Sequence, residues 1–211
     1  MRLIEMITAV QSIFGDTSGA QITTTEITAW LNEGQRKLAR DTQYIGQHAE
    51  TDVISGQRAY DLPADVIIIE RVELDGVRLE KYTLEQLDAM NSYQSTSEGT
   101  PTLYYMYGNQ MYLYPTPTES GDGNLDIWYK RMPAELTSDD QVSELEPNVH
   151  DTLVRFALAR AKEKDESYSD ANLIMNGVEI EARQHYHESD QRAQDSYPVI
   201  RPAAGDEGWN F

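Results

Sequence analysis

The stretch Leu103–Tyr114, LYYMYGNQMYLY, sets two apolar, β-prone runs on either side of Gly108-Asn109. That pattern reads as a β-hairpin, with the glycine-containing pair at the tight turn. Five tyrosines crowd it: Tyr104, Tyr105, Tyr107, Tyr112 and Tyr114. Alternation along a strand puts Tyr105 and Tyr107 on one face, with Tyr112 or Tyr114 across from them. One use is cross-strand packing inside the sheet. Another is contact with a partner subunit, since tyrosine is enriched in interface cores. A sugar-binding platform is a third.

Outward from the hairpin, more short extended segments appear. Pro115 and Pro117 close the second run, Gly121–Asn124 reads as a turn, and Leu125–Lys130 reads as a strand. Upstream, Asn91–Thr100 is polar and loop-like. Thr83 and Gln86 form a capping box that opens a short helix through Leu84, Leu87 and Met90. Val66–Leu74 and Val77–Leu79 flank Asp75-Gly76, a strong hairpin signal. Thr51–Ile54 and Ala59–Pro63 are further extended pieces. Residues 50–132 thus form a small, mostly antiparallel β unit.

Helical spacing governs both flanks. Leu3, Ile4, Ile7, Val10 and Phe14 recur at helical intervals up to Gly15. Thr23 and Glu26 form a capping box, flanked by Ile22 and Ile27 as a hydrophobic staple. Ile27, Trp30, Leu31 and Leu38 mark the face of that second helix. Gly34 lies in its middle, at a cost of about 1 kcal/mol against alanine, which predicts close packing of another backbone there. Pro147 suits the first turn of a third long helix, carrying Val149, Leu153, Phe156, Ala157 and Ala161 on one face. Ser169 or Asp170 caps a fourth, which runs to about Asp195. The predicted class is α+β: a bundle of about four helices (residues 1–48 and 147–197), a β-rich insertion (49–146) and an extended C-terminal arm (198–211). The arm is rich in Pro and Gly yet ends in Trp209 and Phe211, a composition suited to docking in a partner's pocket.

Charge restricts the function. Of 211 residues, 17 are basic and 36 acidic, a formal net charge of −19. Nucleic-acid affinity rests on cationic groups that neutralise phosphates, so most of this surface has the wrong sign for it. An acidic wall instead repels phosphate over about 8 Å at physiological salt. There is no cysteine, which excludes disulfides and thiolate chemistry. Met1–Phe14 lacks the layout of a signal peptide, and no apolar run nears the roughly 20 residues of a membrane span.

Catalytic patterns are absent. The chain has no phosphate-binding glycine loop and no nucleophile elbow. His185 and His187, two apart on a helix, point away from each other and cannot easily share an ion. His185 is expected towards the core and His187 towards solvent, while His48 and His150 read as isolated. Glu135, Asp139, Asp140, Glu144 and Glu146 form the densest acidic cluster. A glycosidase needs two converging carboxyl groups, one with a raised pKa; a solvated acidic loop is the simpler reading. No catalytic, metal or cofactor residue is assigned.

Several of these segments, in this order, resemble the head-to-tail adaptor family of tailed bacteriophages, tail tubular protein A type. Trp30-Leu31-Asn32, Gln35-Arg36 and Leu38-Ala39-Arg40 are similar to its W-L-N-x-x-Q-R-x-L-A-R helix. Gly56-Gln57, Tyr60, Leu62-Pro63 and Asp65 follow, then a strand and Asp75-Gly76. Next come Gly99-Thr100-Pro101 with Tyr104-Tyr105, Tyr112-Leu113-Tyr114-Pro115 with Pro117, and Trp128-Tyr129-Lys130-Arg131 with Pro133 and Leu136. Last is Pro147–Ala161, similar to the family's D-x-L-V-x-x-A-L-A helix. The resemblance covers roughly residues 20–165.

The resemblance implies a non-enzymatic virion protein at the head–tail junction, assembled in the host cytoplasm. It implies a ring, commonly of twelve copies, below the portal protein, with helices mediating the ring contacts. The C-terminal arm would dock on the portal, through Tyr197, Val199, Ile200, Trp209 and Phe211. The β part would face a tail nozzle or tail-tube protein, with the five hairpin tyrosines as contacts. DNA would pass through the bore without specific binding. Competing readings are a neighbouring tail component (tail terminator or tail tube), a peptidoglycan hydrolase and a carbohydrate-binding module.

Overall fold

The computed structural model describes residues 1–90 and 96–195. The class is α+β, as expected. Among the described residues are five α-helices: α1 (Leu3–Phe14), α2 (Thr24–Thr42), α3 (Leu84–Asp88), α4 (His150–Lys164) and α5 (Tyr168–Asp195). Capping chemistry sets the starts of α2 and α3. Thr23 accepts from the Glu26 N–H while Glu26 reaches back to Thr23, and Thr83 and Gln86 repeat the arrangement. Gly15 ends α1 with φ +95°, a left-handed value that glycine adopts without steric cost. Pro147 opens a 3-10 turn, Pro147–Val149, that leads into α4. Helix α5 begins at Tyr168, ahead of the expected caps Ser169 and Asp170, because the Ser167 carbonyl already accepts from Ala171.

The four longer helices share one apolar core, built from Met6, Val10, Ile27, Leu31, Leu153, Phe156 and Val178 among others. Helix α4 packs against α1, α2 and α5, and α2 against α1 and α5. At Gly34 two helices approach closely. A Cβ there would stand 2.7 Å from Leu153 Cδ1 and 2.8 Å from Phe156 Cδ1, so its absence lets α2 and α4 meet.

Asp16 ties α1 to α2. Its buried carboxylate accepts from Ser18 Oγ (2.7 Å) and from the N–H groups of Ala20, Gln21 and Ile22 (3.2, 2.6 and 3.0 Å). These bonds, led by that from Ile22, hold its pKa far below the usual carboxylate range. The ionised form is favoured in the fold, so this stabilisation is complete above the ordinary carboxylate pKa and is lost as pH falls through the depressed value. Asp16→Ala is expected to lower the thermal midpoint by several degrees near neutral pH. The gap to the native chain should narrow in strong acid. Melts followed by circular dichroism check both, and an acid-independent gap would contradict the assignment.

Among the described residues, the β part contains two four-stranded sheets and a short ribbon. Strands β1 (Gly46–Val53), β3 (Val66–Leu74), β4 (Val77–Arg78) and β10 (Gly121–Arg131) form the first sheet, in the antiparallel order β1-β10-β3-β4. The second has β2 (Ala59–Asp61), β5 (Glu80–Tyr82), β7 (Leu103–Tyr107) and β8 (Gln110–Tyr114), in the order β2-β8-β7-β5. The ribbon pairs β6 (Glu98–Gly99) with β9 (Thr116–Pro117). Both predicted hairpins form, at Asp75-Gly76 and Gly108-Asn109. Two pairings are parallel rather than antiparallel: β5 with β7 and β6 with β9. The segment carrying α3 separates β5 from β7, and such a crossover is what a parallel pair requires. The expected turn at Gly121–Asn124 is instead the start of β10, with a register shift opposite Thr51 and Val53.

An apolar layer of Val72, Leu74, Leu113, Met111, Leu125 and Ile127 fills the space between the sheets. The chain enters and leaves this part side by side. Gly46 is the register partner of Lys130, and the Arg131 N–H donates to the Ile45 carbonyl at 3.0 Å. Residues 133–146, grouped by the sequence with the β insertion, then run back along the helices. Leu136 and Leu145 enter the helical core, and Arg2 bridges to Val142.

Candidate assembly surfaces

The hairpin tyrosines divide between two interiors. Tyr104 lies in the inter-sheet core with Met111 and Leu113. Burial pushes its phenol pKa up, opposed by the charge of Arg78. Tyr105 and Tyr114 face the other side of the second sheet, where Leu87 of α3 covers them. Tyr105 is the register partner of Tyr112, and their rings stack at 5.1 Å and 16°. The Tyr112 hydroxyl donates to Gln110 Oε1 (2.9 Å), and the Arg58 guanidinium lies 5.4 Å from its ring. Only Tyr107 of the five stands out, 64% exposed beside the turn. Of the proposed subunit or tail contacts, Tyr104, Tyr105 and Tyr114 are therefore spent on the chain's own cores. The proposed portal-docking residues Tyr197, Val199, Ile200, Trp209 and Phe211 lie outside the described residues.

The acidic cluster proves largely tied down. Glu144 accepts both terminal nitrogens of Arg131 (2.9 and 3.0 Å) and the Ala134 N–H (2.8 Å). Those bonds, Arg131's first, lower its pKa, the reverse of what a general acid needs. Glu135 pairs with Arg36 at 3.0 Å and Asp140 with Arg2 at 3.2 Å. These contacts fasten the return segment 133–146 to α1, α2 and β10.

The polar positions Asn32 and Gln35 of α2 serve the same purpose, which the sequence did not disclose. Asn32 Oδ1 accepts from the Leu136 N–H (2.8 Å) while its Nδ2 donates to the Leu136 carbonyl (3.0 Å). Gln35, fully buried, donates to Asn32 (3.0 Å) and accepts from Ser143 Oγ (2.7 Å). A side-chain amide offers donor and acceptor together, which is what a passing strand of backbone requires.

The histidines are placed differently from their reading as isolated groups. His150 is buried, with Nε2 3.0 Å from the Leu145 carbonyl and Nδ1 2.6 Å from the Met1 amine. Burial, and then the charge of that amine, lowers its pKa. His48 lies on the outer face of the first sheet. Its ring stacks on Trp128 at 4.7 Å, and the Arg71 guanidinium is 5.4 Å from that indole. His48 Nε2 is 2.8 Å from Asp126 Oδ1, and Nδ1 is 3.9 Å from Glu50 Oε1. One imidazole and two carboxylates could hold a metal ion, but the carboxylates flank opposite ring nitrogens, a geometry that suits ion pairing better. His185 is partly buried and His187 exposed, as expected.

Residues 1–202 match the SU10 adaptor protein family. The chain belongs to the SU10 adaptor protein family. The match extends beyond the 20–165 region of the sequence resemblance and takes in all five helices and both sheets. It is consistent with a phage head-to-tail adaptor, a structural role in the virion. No curated protein matches the chain. No described helix is long and apolar enough to cross a membrane.

Proposed function

We propose that this SU10 adaptor protein forms a ring, of about twelve copies, between the portal protein and the tail, around a channel for DNA. Membership of the family over residues 1–202 carries the reading. In it, residues 1–48 and 147–197 are the helical, ring-forming part. Within residues 49–146 the β part faces the tail nozzle or tail tube, with Tyr107 as its exposed aromatic contact, while 133–146 lie along the helices. The arm 198–211 docks on the portal through Tyr197, Val199, Ile200, Trp209 and Phe211. The chain acts without catalysis or cofactor. Its charge of −19 suits the channel, since a cationic bore would hold a genome through many phosphate contacts, whereas an anionic one lets it slide.

Sedimentation of the purified chain with and without the portal ring of the same phage tests this. The expected result is a small species alone and a stoichiometric ring complex with portal. Removing residues 198–211 should leave the circular dichroism spectrum unchanged and weaken portal binding. A chain that ignores the portal would overturn the adaptor reading, and full binding by the truncated chain would overturn the arm's role.

A further inference from the structure

The two sheets part at both flanks of the β unit, and the strand orders place unlike charges there. In β1-β10-β3-β4 and β2-β8-β7-β5, the edge strands β4 and β5 share one flank, and β1 and β2 the other. A cleft opens at each.

The cleft beside β4 and β5, about 610 Å³, is lined by Ile69, Arg71, Arg78, Leu79, Lys81 and Tyr104 among others. Arg78 and Lys81 are exposed, and neither has an ion pair among the described residues, in a chain with 36 acidic residues against 17 basic ones. The acids nearby are engaged or averted. Glu70 pairs with Lys130 at 3.4 Å, and Glu73, the register partner of Arg78, pairs with Arg71. Asp75 accepts from Asn124 at 3.2 Å. Glu80 also borders the cleft, but strand alternation turns its side chain to the face opposite Lys81. Tyr104 marks what the cleft lacks. Its ring is spent on the core and the residue is 2% exposed, yet its hydroxyl has no hydrogen-bond partner among the described residues. Lys81 is its register partner, and Arg78 stands near enough for its charge to oppose the effect of burial on that phenol. A phenol O–H, a guanidinium and an ammonium in one cleft are the donors of a carboxylate site.

The opposite cleft, about 460 Å³, lies between β1 and β2 and has Glu50 and Asp61 in its lining but no basic residue. Both carboxylates are exposed. Asp61 accepts from the Gln110 side chain at 2.8 Å, and Glu50 lies 3.9 Å from His48. The bases beside these strands are engaged elsewhere, His48 with Asp126 and Arg58 over the Tyr112 ring.

We propose that the Arg78–Lys81 edge of one copy docks on the Glu50–Asp61 edge of the next, with a carboxylate reaching the Tyr104 hydroxyl. The inference rests on the ring reading above and adds a contact within the β part to it. Copies carrying −19 each repel, so an attractive pairing of unlike edges selects both the neighbour and the register. Because the edges lie on opposite flanks, the contact is heterologous, and a heterologous contact that closes makes a ring.

Isotopically heavy and light full-length chains, mixed equally, are assembled on the portal ring and, separately, concentrated alone to the millimolar range. Both samples are treated with a carbodiimide, which joins an amine to a carboxylate in direct contact. Mass spectrometry is expected to find Lys81 joined to Glu50 or Asp61, heavy to light. A ring in which Lys81 is joined to other carboxylates only, or to none, refutes this contact while the adaptor role stands. If the chain ignores the portal yet the concentrated sample gives the heavy–light link, the contact stands and the adaptor reading falls. No such link in either sample overturns the proposal. Charge reversal is the second measurement. Arg78→Glu with Lys81→Glu should keep the native circular dichroism spectrum and weaken ring formation about a hundredfold or more. Adding Glu50→Lys and Asp61→Lys to the same chain should restore it, and a natively folded fourfold variant that fails to recover would refute the pairing. Tyr104→Phe should leave the thermal midpoint of the isolated chain unchanged or raised, since it deletes a buried hydroxyl without a partner, and should weaken ring formation. Native ring formation by Tyr104→Phe would remove that hydroxyl from the contact.

Discussion

Gly34→Val is expected to leave the chain largely unfolded under conditions where the native protein is folded. The missing Cβ at this position is the space into which Leu153 and Phe156 project, and both are fully buried. Valine adds three carbons where even the first would overlap its neighbours. Overpacking of a tight core costs typically about 1–3 kcal/mol, and more where the neighbours cannot move. The Phe156 ring is one such neighbour. A loss of that size is a large part of the roughly 5–15 kcal/mol that holds a domain folded. Gly34→Ala should fall between, since alanine's higher helix propensity of about 1 kcal/mol offsets part of the clash. Phe156→Ala alone should cost about 3–5 kcal/mol through the cavity it leaves. Combined with Gly34→Ala, it should show strong coupling, because the smaller side chain removes the obstacle. Urea unfolding of the native chain and the four variants measures this, and an unchanged midpoint for Gly34→Val would refute the close approach.

Asn32→Leu carries the second large effect. Leucine keeps the branching and the number of side-chain heavy atoms, so the main change is the loss of the polar bonds. The Leu136 N–H and carbonyl then lose their side-chain partners, at about 1–3 kcal/mol for each group left unpaired. Gln35 loses one of its bonds as well. The damage should appear first in the return segment. Limited proteolysis is expected to cut the variant between residues 133 and 146 before the helices open, with the native chain resisting under the same conditions. Equal resistance would mean that the Arg131–Glu144 and Arg36–Glu135 pairs hold the segment without Asn32.

What could be read in the sequence was local. Capping boxes, the glycine stop of α1 and both tight turns are decided within a few residues, and each appears where expected. The close packing at Gly34 was legible because a helix-breaking residue inside a good helix needs a packing reason, but the space is filled by the side chains of Leu153 and Phe156 rather than by a backbone. The tyrosine hairpin was only half legible. Strict alternation would have separated a buried face from a wet one, but the second sheet is covered by the first on one side and by α3 on the other. A strand buried on both faces reads as a continuous apolar run. The Asn32 and Gln35 bonds join residues 104 and 108 positions apart, and the His48–Trp128–Arg71 stack depends on the register of three strands. No short pattern encodes either. The acidic loop is solvated, as its sequence suggested, with Glu135, Asp139, Asp140 and Glu144 exposed; its arginine partners, which come from other elements, were not legible.

The paired entry and exit at Gly46 and Lys130 has an evolutionary meaning. A segment that leaves and re-enters a structure at neighbouring points is a cassette: its length and content can change while the flanking elements keep their places. Between that pair of residues, the chain could be lengthened, trimmed or replaced without altering the path of the four long helices.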